Sequence, residues 1–376
     1  MRSRVLILGH NDATQFIDIF NQYTRLFDQK HYEVTVAMLT GKPNEATQTR
    51  LLAEHVLFLN TPKRKLRGLK LGVFWRLLRL TRQQHYDIVI CHRYKPTYLM
   101  LWVSQFVRFS ALICVMHELG TMKARGRQWL MRRLGRQSLV FAGVSDAVRD
   151  DLRASLQPFP KERIVTLYNV IDTDLIEPTF ADRATAREAL SLPADRFIFG
   201  NIARLAVNKD HRSLITAFAE VHAKHPNTLL VIVGDGVLEP ELKTHIEALH
   251  LENHIRLTGF VPCAFEKLKA FDAFVLSSIQ EAFGRVLIEA MLARCPIIAT
   301  RVNGIPEVVG DTATLVPARN PDAFARAMLT LLEQTPEARS QIIELAYDRV
   351  YKNFSIPAFE TTFWNLPLFH AKKETA

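Results

Sequence analysis

Short runs of Val, Ile, Leu and Phe recur along this 376-residue chain with helical stretches between them. That alternation is the tightest limit on what it can fold into. Parallel strands are buried on both faces, so they read as continuous apolar runs, and each return to the sheet needs a crossover helix. In the first half the runs fall at 5–8, 34–39, 56–59, 88–91, 111–116 and 139–144. In the second half they fall at 197–202, 229–233, 255–257, 273–276, 297–299 and 314–316, with helices predicted over 212–223, 238–249 and 321–353. The pattern predicts an α/β chain of two tandem Rossmann-like doubly wound domains, with a ligand cleft between the carboxyl edges of their sheets. The polar, loose stretch after Ile171 reads as a linker. The expected divisions are 1–175, 176–353 and a tail at 354–376. Phe359, Phe363, Trp364, Leu366 and Phe369 make that tail too apolar for water, so it should pack back toward the first domain.

Charge separates the two halves. Residues 1–180 hold 27 Lys and Arg against 15 acids, and 17 of those cations fall between Thr61 and Arg136 beside only Asp87 and Glu118. Such a field attracts a polyanion or an anionic membrane surface. The run 63–82 mixes Lys63, Arg64, Lys65, Arg67, Lys70, Arg76 and Arg79 with Trp75, and 123–136 repeats the theme. Basic amphipathic helices that carry an aromatic suit the membrane interface, so these residues are candidate membrane contacts. The apolar stretch 98–116 is interrupted by Arg108 and reads as a helix followed by a buried strand, not as a span. Cys91, Cys114, Cys263 and Cys295 form no C-x-x-C pair, which points to buried, reduced thiols and a cytoplasmic setting. No signal peptide is visible ahead of the first strand.

The chemistry concentrates in SSIQEAFGRVLIEAMLARCPIIATRVNGIPEVVG, residues 277–310. Glu281 and Glu289 lie eight residues apart, which along a helix is about 12 Å. Carboxylates accept hydrogen bonds from sugar hydroxyls as readily as they serve acid–base chemistry. A helix opened by the amides from Phe283 through Gly284 and Arg285 to Val286 would favour a phosphate. Upstream, IARLAVNKDHRSLITAFA places Arg204 and Lys209 between a strand and a helix, where a pyrophosphate would find its cations. Gly234-Asp235-Gly236 and Leu257-Thr258-Gly259-Phe260-Val261 each follow a strand.

These motifs closely resemble the donor site of retaining glycosyltransferases of family four, also described as glycosyl transferases group 1, which have the GT-B fold. The likeness is to enzymes of bacterial lipopolysaccharide and cell-surface polysaccharide synthesis. The resemblance implies that Glu281 holds donor-sugar hydroxyls, that Glu289 holds the ribose, and that Arg204 and Lys209 neutralise the diphosphate. Gly234, Phe260, Val261 and Ala282 complete the implied donor contacts, with backbone near Phe260 and Val261 reading the base. His117 in VMHELG would stand near the reacting sugar. Gly9, His10 and Asn11, together with His117, would form the acceptor side. The catalytic set is thus His117, Glu281, Arg204 and Lys209.

Small departures accompany the match. Gly9-His10-Asn11-Asp12 stands where the family often has paired glycines, Ala282 and Ala203 replace glycines, Arg294-Cys295 precedes the proline, and Val170 replaces another glycine. Metal independence is expected, and no cofactor is needed beyond the nucleotide-sugar substrate. The implied reaction is hexosyl or N-acetylhexosaminyl transfer from a UDP-sugar to a glycan or lipid-linked glycan acceptor, by a protein peripheral on the inner face of the cytoplasmic membrane. The competing readings are a catalytically silent GT-B scaffold and a nucleic-acid-binding protein. The acidic-leaning second half and the absence of a nucleic-acid motif weigh against the last.

Overall fold

The computed structural model describes residues 2–66, 70–134 and 138–370, and the chain divides into two compact units. Unit 1 comprises the residues up to Val170 together with the segment from Ile356, and unit 2 is Ile171–Ser355. The divisions therefore fall at Val170 and Ser355, beside the 175 and 353 expected.

In unit 1 the strands are β1 (Ser3–Gly9), β2 (Tyr32–Met38), β3 (His55–Phe58), β4 (Ile88–His92), β5 (Ala111–Met116), β6 (Leu139–Gly143) and β7 (Ile164–Thr166). Among the described residues they form one parallel sheet in the order β3–β2–β1–β4–β5–β6–β7. Sequence reasoning finds all of these but β7, a three-residue edge strand. The sheet order reverses between β1 and β4. The side chains of Val5, Leu6, Ile7, Leu8, Val89, Ile90 and Ile113 are fully or almost fully buried, as strands covered on both faces require.

The segment from Ile356 opens with the helix Ile356–Trp364. Phe359 and Phe363 pack edge-on against Tyr23, and Phe363 and Trp364 against Phe27. Pro336 splits the single helix expected over 321–353 into Pro321–Glu333 and Pro336–Phe354, with Thr335 capping the second by accepting from the Ala338 amide at 3.3 Å.

Unit 2 repeats the plan with β8 (Phe197–Ile202), β9 (Thr228–Val233), β10 (Ile255–Leu257), β11 (Ala273–Leu276), β12 (Ile297–Thr300) and β13 (Thr314–Val316). These strands form a second parallel sheet in the order β10–β9–β8–β11–β12–β13, which reverses between β8 and β11. The stretch after Ile171 is not loose. It forms the short helix Thr173–Ile176, capped by Asp172, and the helix Arg183–Ala189, capped by Asp182. Tyr347 and Tyr351 donate to Glu177 at 2.9 and 2.6 Å and tie this stretch to the helix Pro336–Phe354.

The basic region of unit 1 contains a helical turn at Lys63–Leu66 and the helix Leu71–Gln84. Val73, Leu77, Leu78 and Thr81 face inward. Trp75, Arg79 and Arg82 lie on the opposite, exposed face, at one-turn spacing. Arg64 is also exposed. Arg76 donates to the Leu59 carbonyl at 2.8 Å, and Lys70 sits 4.2 Å over the Tyr98 ring. Arg67 lies outside the described residues, as do the side chains of Lys63 and Lys65. Among the described residues no helix is long and apolar enough to cross a membrane. Cys91 and Cys114 are buried partners across β4 and β5 and Cys295 is buried, but Cys263 is exposed, against the expectation of buried thiols throughout.

Asp272 anchors the helix Arg183–Ala189 to the second sheet. It accepts from Arg187 and from the Ile198 amide, both at 2.7 Å, and the side chains of Arg187 and Asp272 are only 4% and 8% exposed. Asp272→Ala leaves a buried guanidinium without its counter-charge and should cost about 3–5 kcal/mol of unit 2 stability, read as a lowered urea midpoint. An unchanged midpoint would remove the pair from the forces that hold this unit together.

Candidate functional site

In doubly wound sheets ligands bind beyond the carboxyl ends of the strands where the order reverses. In unit 2 that point lies between β8 and β11. The loop after β8 carries Arg204 and Lys209, and the loop after β11 carries Glu281. Ser277 Oγ donates to the Lys209 carbonyl at 2.8 Å, and the Ile279 amide donates to the Asn208 carbonyl at 2.9 Å, so the two loops are stitched together. Lys209 Nζ donates to Glu281 Oε2 in an ion pair whose side chains are 14% and 16% exposed. Ser278 Oγ donates to the same carboxylate at 3.2 Å. The loop after β12 closes the other side: the Glu281 amide donates to Asn303 Oδ1 at 3.2 Å, and its carbonyl accepts from the Gly304 amide at 3.1 Å.

Glu281 is therefore held by three loops. Arg204 is exposed, and its guanidinium has no hydrogen-bond or ion-pair partner among the described residues. The loops thus offer an anion a cation shared with a carboxylate beside a helix start, and the exposed Arg204 belongs to one of them.

That helix is Arg285–Leu292, and Gly284 before it adopts φ 92°. A side chain at this φ would be strained, so glycine suits the sharp entry from the Glu281 loop. The sequence reading placed the opening amides at 283–286. The structure begins the helix at Arg285, two residues later, and Leu287 N–H already bonds the Gly284 carbonyl at 2.9 Å. The spacing between the glutamates is corrected with it. Glu281 stands in the preceding loop, and only the stretch from Arg285 to Glu289 is helical, a rise of about 6 Å.

Phe283 and Gly234, both expected donor contacts, also serve packing. Phe283 is buried, with its ring edge-on to Phe354 at 5.8 Å. Gly234 has φ 142°, and a Cβ there would run into the Ala203 carbonyl oxygen. Its glycine lets the β9 loop lie against the β8 loop, where Leu205 N–H donates to the Asp235 carbonyl at 2.7 Å. Gly234 thus positions the Arg204 loop. Its amide bonds the Gly259 carbonyl at 2.9 Å, which sets the turn bearing Phe260 and Val261. Phe260 is 71% exposed and Val261 half-buried. Ala282 is half-buried, and its carbonyl lies where any Cβ on Gly304 would fall.

In unit 1 the corresponding reversal lies between β1 and β4. His10 and His117 line one depression there, with Arg93, Tyr94, Lys95 and Arg127. Asn11 is half-buried in the loop after β1. Gly9 is buried at the end of β1, with the Phe20 ring where a side chain would go. Sequence reasoning missed His92, the last residue of β4. Its Nδ1 lies 3.0 Å from His117 Nε2, and it is fully buried. Its only sequence signal is a histidine ending an apolar run.

His211 was missed as well. It is buried at the start of the helix His211–Lys224, and its Nε2 donates to Asn201 Oδ1 at 3.1 Å. Asn201 in turn donates to the Val275 carbonyl at 2.7 Å, joining β8 to β11 beneath the site. Burial, and then the Lys209 charge, push the His211 pKa down to about 4. The folded state thus refuses a proton that the unfolded chain accepts below about 6.5. Stability contributed by neutral His211 is present above that value and is lost as pH falls toward 4, by about 3 kcal/mol in all. Urea midpoints measured across this window should fall for the wild type. In His211→Gln, which keeps a donor in place of Nε2 but does not titrate, they should fall less by that amount.

Among the described residues, no group of three or more His, Cys, Asp or Glu is placed to hold a metal ion. Residues 182–349 match the family described as glycosyl transferases group 1, and residues 21–175 match glycosyltransferase family 4. The alpha-D-kanosaminyltransferase of Streptomyces kanamyceticus is 31% identical over 236 residues, 61% of this chain and 60% of that protein. The N-acetylgalactosamine-N,N'-diacetylbacillosaminyl-diphospho-undecaprenol 4-alpha-N-acetylgalactosaminyltransferase of Campylobacter jejuni is 28% identical over 249 residues, 64% of this chain and 65% of that protein. The chain thus spans less than two thirds of either relative's length. The crystal structure of Anabaena Alr3699/HepE in complex with UDP and glucose superposes with a TM-score of 0.77 at 20% identity, over 96% of this chain and 98% of that one. At that identity the likeness shows the fold, which is GT-B. One family match falls on each sheet, the second containing the loops of Lys209 and Glu281, and the chain belongs to the glycosyltransferases of family 4 and group 1.

Proposed function

We propose that this chain is a retaining glycosyltransferase. It moves a hexose or N-acetylhexosamine from a nucleotide-sugar, UDP-linked, to a cell-surface glycan acceptor such as lipopolysaccharide core or a lipid-linked oligosaccharide. The observation that carries this reading is the gathering of Arg204, Lys209, Glu281 and the Arg285 helix start at the reversal point of one sheet. A nucleotide-sugar has a diphosphate between two hydroxyl-rich rings. It needs cations at its middle and hydrogen-bond acceptors at its ends. Arg204, Lys209 and the amides at the helix start meet the diphosphate. Glu281 keeps lone pairs for the donor sugar, Glu289 takes the ribose, and backbone at Phe260 and Val261 flanks the base. The Anabaena protein's UDP and glucose support the choice of UDP, and the Campylobacter relative's name supports a lipid-linked acceptor.

In this mechanism the bond from the anomeric carbon to the diphosphate breaks, and its electron pair goes to the phosphate oxygen. Negative charge grows beside Arg204 and Lys209, so they bind the transition state more strongly than the ground state. The acceptor hydroxyl attacks from the face the diphosphate leaves, and its proton passes to the departing phosphate. Unit 1 carries the acceptor, with His10, Asn11 and His117 as its contacts. Cationic side chains and helix amides supply the charge that a divalent ion would otherwise supply. The exposed face of Trp75, Arg79 and Arg82 rests on an anionic membrane, which places the protein on the inner surface of the cytoplasmic membrane.

A panel of UDP-, GDP- and ADP-sugars tests the reading. One donor should bind and turn over, with EDTA leaving the rate unchanged. Lys209→Ala should lower kcat by about 100-fold or more, and Glu289→Ala should act mainly on KM, by about tenfold. Failure to bind any nucleotide-sugar would end the proposal. The membrane reading has its own assay. Sedimentation with vesicles containing phosphatidylglycerol should weaken with added salt and with Arg79→Glu, and neutral vesicles should not bind. Equal binding to neutral vesicles would refute it.

A further inference from the structure

The buried histidine behind His117 is used by nothing described so far. His92 ends β4, where its backbone pairs with Val115 of β5, and His117 follows β5 directly. His92 is fully buried, against the rings of Phe20 at 5.7 Å and Tyr23 at 4.7 Å. Its Nδ1 lies 3.0 Å from His117 Nε2, and its own Nε2 has no hydrogen-bond partner among the described residues. Two nitrogens at that distance must share one proton, and two arrangements satisfy this. If His117 donates, neutral His92 carries its proton on Nε2 and leaves a buried N–H with no acceptor. If His92 donates from Nδ1, only a lone pair is left unmatched. Orphaned buried N–H groups are the rarer and costlier case.

We propose that His92 is a positioning residue for His117: it donates from Nδ1 to His117 Nε2 and so holds His117 neutral, with its proton on Nδ1. Protonating His117 would put a hydrogen on Nε2 and oblige His92 to move its own proton to the orphaned nitrogen. The dyad therefore resists an imidazolium at the rim of the depression. Burial, followed by the neighbouring His117, also pushes the His92 pKa well down, so His92 does not relieve the conflict by charging. The other groups around His117 act in both directions. Arg93, Lys95, Arg127 and His10 share its depression and oppose a positive charge, whereas Glu118 favours one but is tied to Arg93 at 2.9 Å. Tyr23, from the helix packed on His92, is kept neutral by burial.

Under the proposed function, a neutral His117 is a hydrogen-bond donor and acceptor toward sugar hydroxyls, and that consequence rests on the glycosyltransferase reading. The dyad itself does not.

The test uses the full chain labelled with 15N-histidine, with His117→Gln to assign resonances. In the wild type, long-range 15N correlations should show His117 protonated at Nδ1 and neutral through pH 6. His92→Phe keeps a ring against Phe20 and Tyr23 but removes the donor. It should raise the His117 pKa by about one to two units. His92→Asn places an amide N–H where Nδ1 stood and should restore the wild-type titration. A wild-type spectrum with the proton on Nε2, or a His92→Phe titration that follows wild type, overturns the proposal. The pH profile of kcat separates this from the reading it serves. The acid limb should shift with His92→Phe and return with His92→Asn. If the resonances shift and the limb does not, the dyad stands and His117 leaves the reaction.

Discussion

The ion pair between Lys209 and Glu281 is the constraint on which the candidate donor site turns. The two residues come from loops that are far apart in sequence, and only the order β8–β11 makes those loops neighbours. Once adjacent, they cross-link through Ser277 and Ile279, and the Asn303–Gly304 turn locks Glu281 from the far side. Each charge offsets the other's desolvation, which lets both stand largely buried at a sheet edge. A polar ligand that arrives there need not order these side chains first. It meets a lysine already held against its carboxylate.

Sequence alone carries the two sheets well because of how parallel strands are buried. A strand such as Val5–Leu8 or Thr228–Val233 has no polar face, so composition and length reveal it without any knowledge of its partners. The same logic explains what was hidden. β7 has only three residues and lies at the edge, half-covered. The single helix expected over 321–353 reads smoothly in periodicity, yet Thr335-Pro336 is a capping residue followed by a proline at the first helical position, a signal that was present and outweighed by the apolar pattern on either side. The stretch after Ile171 looked loose because its order depends on a distant contact, Glu177 with Tyr347 and Tyr351.

The candidate site shows the same division between local and through-space information. The charged residues are legible as types at spacings, and Lys209 and Glu281 meet in an ion pair. The roles of the small and apolar residues were not legible. Gly234 and Phe283 sit within the same motifs, but one exists to let two backbones touch and the other to pack on Phe354. A residue's place in a motif does not say whether it serves a ligand or the fold. His92 is the reverse case: no motif marks it, and its meaning depends on a 3.0 Å approach across two strands.

The charge asymmetry between the units fits the division of labour that the proposed function requires. Under the proposed function the donor end needs a few cations at fixed positions, since surplus positive charge would hold the nucleoside diphosphate after transfer and slow its release. Unit 2 accordingly pairs one of its two key cations with Glu281. Unit 1 carries its excess on exposed helix faces such as that of Trp75, Arg79 and Arg82, where the side chains are solvated and add a field without fixed geometry. A field of that kind concentrates an anionic partner near the surface and places no single atom of it. The depression lined by His10 and His117 is of another kind, for there Arg93, Lys95 and Arg127 stand beside a ring whose nitrogen lies 3.0 Å from that of a buried neighbour.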